Sequence, residues 1–506
     1  MSKTPSDKLF RLIKSMSAME KRYFKVIANK KGDNSNKYLV LFDAIDAQTK
    51  FDDQALLEQV YKVKSISKKN FSELKGYLYD VILKTLQSFD EKSSVRNKLA
   101  NHMHNVDVLF KRGHMQLCKD ELKKAKKIAS HYEEFSTLYE ILRWEKWIAH
   151  TMIDVDFLQE ELGRIEKEEK LYLEQLNLLS KYRNLFLELY LKIKSRVGLD
   201  DIQHIVDNEL INKEHFNSHR TYVLYYRAKA LLAFLQKDMP SFGEYSRNLL
   251  EVMESKPHFL KEEVAEYISA LHNFCVSCIL KRDFDTLNQT NEKIKTITPL
   301  NMDDRIKIHR QYMHNYFIYC IRTGEFEKAK STLPEHFKKI KTFKTKIFDD
   351  HQFFFHYAYI FFGCGEYDDA LFHLNNWLDM PTTIDNPNLQ MLSRVFNLIL
   401  HFELGNILLV SSLIKSTYRF LKKENQLQDI EKAFLNFIKS VIKAQGNREV
   451  KECFQKFKVN LMNITNSGNA TISVFDLMAW VDSKLINMSF SEIVKNNWEK
   501  TKVAVR

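Results

Sequence analysis

Turn-forming residues are scarce. The 506-residue chain has 12 Gly and 7 Pro, against roughly 35 and 25 at average usage. A β-rich or loop-rich protein needs many such residues, so that class is excluded and the chain reads as mostly helix. Six Cys are too sparse for a disulfide framework and fit a reducing compartment. The start, Met1 to Asp7, lacks the apolar core of a secretory signal. The longest apolar run, 353–364, is broken by His356 and falls short of the ~20 residues of a membrane span. A cytoplasmic protein is expected. No P-loop, dinucleotide fingerprint, kinase set, nucleophile elbow or His-Glu-x-x-His pattern occurs. The expectation is therefore a non-enzyme without a cofactor or metal.

Apolar residues make up 44% of the chain and aromatics 12%, enough for a buried core. A charge of +12 permits an acidic partner such as nucleic acid without demanding one. The strongest signal is an internal period. Gly324-Glu325-Phe326 with Ala329 is followed 41 residues later by Gly365-Glu366-Tyr367 with Ala370. Weaker copies follow at Gly405 and Gly446, each 40 or 41 residues on. Backwards, Arg282, Lys237, Gly198 and Gly113 hold the same place, with a faint copy at Asp154. Pro257, Pro299 and Pro381 mark a second phase of the period, where one hairpin would hand over to the next.

Glycine at the turn allows the left-handed conformation that ends a helix. Two places on, Met115, Met239, Phe284, Phe326, Tyr367 and Ile407 would wedge between the two helices of a hairpin. Five places on, Cys118, Phe242, Leu287, Ala329, Ala370 and Val410 fall on one face a turn later. This turn, aromatic and small-residue logic resembles the tetratricopeptide repeat, most clearly at Gly324 to Ala329 and Gly365 to Ala370. The period near 41 exceeds the family's ~34, so each hairpin should be about two turns longer. The resemblance implies an all-α solenoid of about nine hairpins over 93–468, binding a protein partner in its concavity and carrying no chemistry. The family's peptide-carboxylate clamp residues have no counterparts that can be assigned.

Residues 1–92 lie outside the period and read as a small helical domain with helix-turn-helix character. Ser17 to Glu20 fits a capping box, and Phe71, Leu74, Leu78, Ile82, Leu86 and Phe89 form an amphipathic stripe. Segments at Val474–Leu485 and Ser491–Trp498 within 469–506 would cap the array, because a solenoid must cover its last apolar face.

Candidate chemistry is thin. Cys275-x-x-Cys278 has no second pair to complete a zinc site, and its column is mostly apolar, so both thiols read as core. His215 and His219 stand one turn apart without accompanying carboxylates. Asp349-Asp350 and Asp368-Asp369 fall at helix starts, where they complement the dipole.

Basic clusters carry more weight. Residues 1–90 hold 17 Lys/Arg against 11 Asp/Glu, with Lys21, Arg22, Lys25, Lys30, Lys31, Lys68 and Lys69 the densest. A second run is Lys338, Lys339, Lys341 and Lys344, interleaved with Phe337 and Phe343. A third spans Lys119 to Lys127. Cations near aromatics can neutralise phosphates and stack on bases, whereas a solvated helix face uses the same composition. Two functions stay open. One is a scaffold that binds proteins and contacts RNA or a ribonucleoprotein particle such as the ribosome. The other is a DNA-binding regulator whose repeats act as a sensor.

Overall fold

The computed structural model describes residues 7–29, 37–61, 68–90, 94–195, 205, 207–212, 218–343, 345–379, 387–423, 427, 429–466 and 475–504. Every regular element among them is an α-helix, and no strand occurs among the described residues. None of these helices is long and apolar enough to cross a membrane. The chain divides into two compact units, Met1–Glu263 and Val264–Arg506.

The first unit opens with α1 (Lys8–Ser15), α2 (Ala18–Asn29), α3 (Lys37–Ala47), α4 (Asp53–Tyr61) and α5 (Lys68–Asp90). They close on a core of their own, including Phe24, Leu41, Phe42, Leu56, Leu78 and Ile82. The capping box forms as its sequence requires: the Glu20 N–H donates to Ser17 Oγ at 3.2 Å, and the Ser17 N–H donates to Glu20 Oε2 at 2.5 Å. Next come α6 (Val95–Phe110), α7 (Met115–His131), α8 (Phe135–Met152), α9 (Val155–Ser195), α10 (Glu209–Asn212), α11 (His219–Leu235), α12 (Met239–Ser255) and α13 (Pro257–Leu260).

In the second unit are α14 (Val264–Lys281), α15 (Phe284–Thr296), α16 (Met302–Thr323), α17 (Phe326–Phe343), α18 (His351–Gly363), α19 (Tyr367–Leu378), α20 (Pro387–Glu403) and α21 (Ile407–Lys423). It ends with α22 (Asp429–Lys443), α23 (Asn447–Asn466), α24 (Leu477–Ile486) and α25 (Phe490–Ala504).

The periodic positions share one backbone device. Gly113, Gly324, Gly365, Gly405 and Gly446 all have positive φ, and Lys237 and Arg282 adopt it too, at 59° and 57°. At most of these turns the N–H after the left-handed residue donates five residues back. Examples are His114 to Leu109, Asp238 to Ala233, Asp283 to Cys278, Glu325 to Cys320, Glu366 to Phe361 and Asn406 to His401, at 2.8–3.0 Å. This bond satisfies a carbonyl that the helix end would orphan. The column five places after the turn is buried at Cys118, Phe242, Leu287, Ala329, Ala370 and Val410. The wedge column is less uniform: Phe284 and Phe326 are buried, but Ile407 is 38% exposed.

Two expectations change. Ile153, one residue before the faint copy at Asp154, turns with φ 56°, and α8 and α9 pack on each other across it, but the second helix does not stop at hairpin length. Helix α9 runs unbroken for 41 residues, because its sequence has no Pro, a single Gly and a dense supply of Leu, Glu and Lys. Gly198 and Pro381 lie outside the described residues. At the other end, α24 packs on α23, but α25 turns back to α16. There Trp498 meets Phe284 at 5.0 Å, and Ser491 Oγ donates to the Gly324 carbonyl at 3.1 Å. The apolar face of α25 finds its partners beside an interior turn of the second unit.

The aromatic stretch 353–362 forms α18, buried on nearly every side within the largest core. A helix without a polar face has to sit there. Its surfaces are covered by neighbouring helices of its own unit, so it offers no open groove.

Candidate functional site

The cations picked out from sequence meet several fates. In the N-terminal bundle, Lys21 Nζ lies 2.6 Å from Asp46 Oδ1, and Lys25 Nζ lies 2.6 Å from Asp43 Oδ1. These pairs tie α2 to α3, and each partly cancels the positive field a phosphate would feel. Arg22 and Lys69 are exposed. Lys30, Lys31 and Lys344 lie outside the described residues, as does the side chain of Lys68. In the second unit, Lys338, Lys339 and Lys341 stand exposed in the last turns of α17, where cations complement the helix dipole. Their neighbouring aromatics are committed inward: Phe337 stacks on His373, and Phe343 stacks on Phe348. Base stacking at this cluster is therefore not built. The third run is largely paired, Lys119 with Asp154, Lys124 with Glu121, and Lys126 with Glu145 and Glu168.

A different place has the form of a binding site. Along α8, Tyr139, Arg143, Lys146, Trp147 and His150 recur at helical spacing beside Trp144. With Glu140 and with Glu169 of α9 they line an open groove of about 620 Å³. Trp144 and Trp147 stack at 5.1 Å with 18° between planes, and Phe110 of α6 packs edge-on to Trp144 at 5.3 Å. Trp147 remains 54% exposed, although burying an indole is among the larger apolar gains available to a fold. One wall is fixed by Lys146 Nζ, 2.6 Å from Glu169 Oε1. Arg143 and His150 are exposed on the rim and pair with nothing among the described residues. Flat apolar faces with a few orientable polar groups suit an extended ligand. No nucleophile stands against a base here. The signal in the sequence was Trp-x-x-Trp, two of the chain's five tryptophans three residues apart on one helix, and the reading of basic clusters passed over it.

Histidines assemble where sequence spacing gave no hint. In the second unit His309 Nε2 lies 3.0 Å from His336 Nδ1, and His336 Nε2 lies 2.7 Å from the Tyr357 hydroxyl. His272 Nδ1 meets Asn315 Oδ1 at 3.2 Å, and Asn315 donates on to Asn291 at 3.1 Å. Burial drives the imidazole pKa values down, to about 4 for His272 and His336 and about 3 for His309 and His356. All are neutral at pH 7 and join adjacent helices. No group of three metal-ligating side chains comes together among the described residues. Cys275 and Cys278 are buried and in no disulfide, and burial raises the Cys275 thiol pKa, which makes it a poor nucleophile. His219 stacks on Phe259 at 4.6 Å, and His215 lies outside the described residues. Asp350 caps α18, accepting the Phe353 N–H at 2.9 Å.

Among known proteins, no family model matches the chain and no curated protein matches it.

Proposed function

We propose that this chain is a non-enzymatic cytoplasmic scaffold or adaptor of tetratricopeptide-like type, which holds a protein partner. The observation that carries the reading is the half-exposed, stacked Trp144–Trp147 pair in an open groove, set between Arg143 and His150 on the rim and anchored by Lys146–Glu169. Stacked helical hairpins present extended surfaces of this kind to partners, and exposed tryptophan with arginine is the composition of interaction hot spots. The left-handed turns recurring every forty or so residues support the repeat reading.

Capture from cell extract tests it, with the wild type beside Trp147→Ala. Retention of a protein that survives nuclease and is lost in Trp147→Ala supports the scaffold. Intrinsic tryptophan fluorescence should shift when the captured partner is added back. A second reading, contact with RNA or a ribonucleoprotein particle, draws on the exposed Lys338, Lys339 and Lys341. It requires co-sedimentation that falls steeply with salt, since each neutralised phosphate releases counterions, and that is lost on reversing those three charges. The DNA-binding alternative is weaker, because Lys21 and Lys25 are already paired with aspartates. Duplex binding abolished by charge reversal at Lys21, Arg22, Lys68 and Lys69 would revive it.

A further inference from the structure

Helix α9 buries one face and exposes an apolar stripe on another. Leu179, Tyr182, Leu185 and Leu189 are buried. On the opposite side Val155, Leu162, Leu173, Leu187 and Leu191 are 52%, 40%, 50%, 55% and 64% exposed. At about 3.6 residues per turn these five side chains fall within roughly 40° of one another. The steps from Val155 to Leu173 and from Leu173 to Leu191 are both 18 residues, about five whole turns, so the stripe runs straight and is symmetric about Leu173.

Charge along α9 is divided at the same centre. Residues 155–175 contain seven Asp/Glu and three Lys/Arg, whereas 176–195 contain one and four. The first half is therefore acidic and the second half basic. Three of those acids, Glu161, Glu168 and Glu169, are paired within the chain. Turned end for end about Leu173, the apolar stripe matches itself and the exposed Glu166 of one half comes level with the exposed Lys181 of the other.

We propose that this stripe is a homodimer interface, with α9 of one chain packed antiparallel on α9 of a second copy. Leu173 meets its own equivalent at the two-fold axis, Val155 meets Leu191, and Leu162 meets the turn that carries Leu187. Glu166 and Lys181, both exposed, come beside each other twice, once on each side of the axis. A shallow depression of about 460 Å³ lined by Val155, Leu158, Leu162 and Gly163 receives the partner's Leu187 and Leu191. Gly163 keeps it open, since a Cβ there would meet nothing within 4 Å. A strip about 55–60 Å long and about 10 Å wide covers roughly 1,200 Å² over both copies, the lower bound for a stable interface. Such an isologous contact closes on itself, so assembly stops at two.

Sedimentation velocity on the full chain from roughly 1 to 200 µM, a range suited to an interface of this size, should show a monomer–dimer equilibrium. Leu173→Glu sets two carboxylates against each other and should weaken it at least tenfold. Glu166→Lys or Lys181→Glu alone should weaken it, and the two combined should restore it. Leu173→Cys should cross-link on oxidation. Val155→Cys should cross-link with Leu191→Cys when the two chains are mixed, but not with itself. These are exposed positions, and circular dichroism verifies that the variants keep their helix. A chain that stays monomeric throughout, a dimer indifferent to Leu173→Glu, or self-cross-linking of Val155→Cys would each overturn the proposal.

Discussion

Gly324 and Gly365 have the same φ, 78°, in unlike surroundings. A Cβ on Gly365 would meet nothing within 4 Å, whereas one on Gly324 would lie 2.7 Å from the Lys495 backbone nitrogen. Gly365→Ala should therefore cost only the left-handed strain, about 1 kcal/mol. Gly324→Ala adds displacement of α25 and should cost about 2–4 kcal/mol in urea unfolding. Conversely, Arg282 bears left-handed strain with a full side chain, and Arg282→Gly should stabilise by about 0.5 kcal/mol. Glu133 is a residue that no local pattern reveals. Its carboxylate accepts the N–H groups of His219 and Arg220 at 3.1 and 3.0 Å and pairs with Lys256 at 2.9 Å, capping α11 from 86 residues away. Burial opposes its ionisation, but these partners hold its pKa below the usual carboxylate value. Glu133→Gln should cost about 2 kcal/mol, because it weakens charge-assisted bonds that are otherwise well made.

At the scale of the element, α9 and α18 show how far composition decides fate. Helix α18 is apolar around its circumference and lies inside the core, so Phe353→Ala, at a fully buried site, should cost about 3–5 kcal/mol. Helix α9 has two apolar stripes, of which its own chain buries one. Leu189 is fully buried and Leu187, two residues earlier, is 55% exposed. At concentrations where the chain is monomeric, Leu189→Ala should cost about 2–5 kcal/mol and Leu187→Ala less than about 1. Comparable losses at the two sites would contradict the observed orientation of the helix.

For the molecule as a whole, acid is the revealing perturbant. His272, His309, His336 and His356 are held neutral by burial, with pKa values of about 3–4 against an ordinary 6.5. A depressed imidazole pKa means that the unfolded chain takes up protons first as pH falls. Their contribution is complete above about pH 6.5 and is lost on descent toward pH 4, at about 1.4 kcal/mol per pH unit for each. Carboxylates held low, such as Glu133 and Glu121 (the latter at about 2, chiefly through Lys124), add their loss only below about pH 4.5. Thermal midpoints should thus fall steeply across pH 6.5 to 4. His356 Nδ1 is buried with no partner among the described residues. His356→Leu should flatten that fall by roughly one proton's worth while leaving stability at pH 8 unchanged or higher. An unaltered acid slope in that variant would remove His356 from the account.

The helical class and the turns at Gly113, Lys237, Arg282, Gly324, Gly365, Gly405 and Gly446 could be read from the sequence. Helix endings depend on residues within one turn of each other, and apolar periodicity reports which face is buried. Tertiary structure decided what is left over. Whether Lys21 is a free cation depends on Asp46, 25 residues away on another helix, and whether α25 extends the row or folds back depends on a missing side chain at Gly324. Likewise, a leucine stripe on α9 looks the same in sequence whether its own chain covers it or not. Local backbone preference acts between neighbours along the chain, whereas exposure, charge pairing and open aromatic surface are set by residues far apart in sequence that only the folded chain brings together.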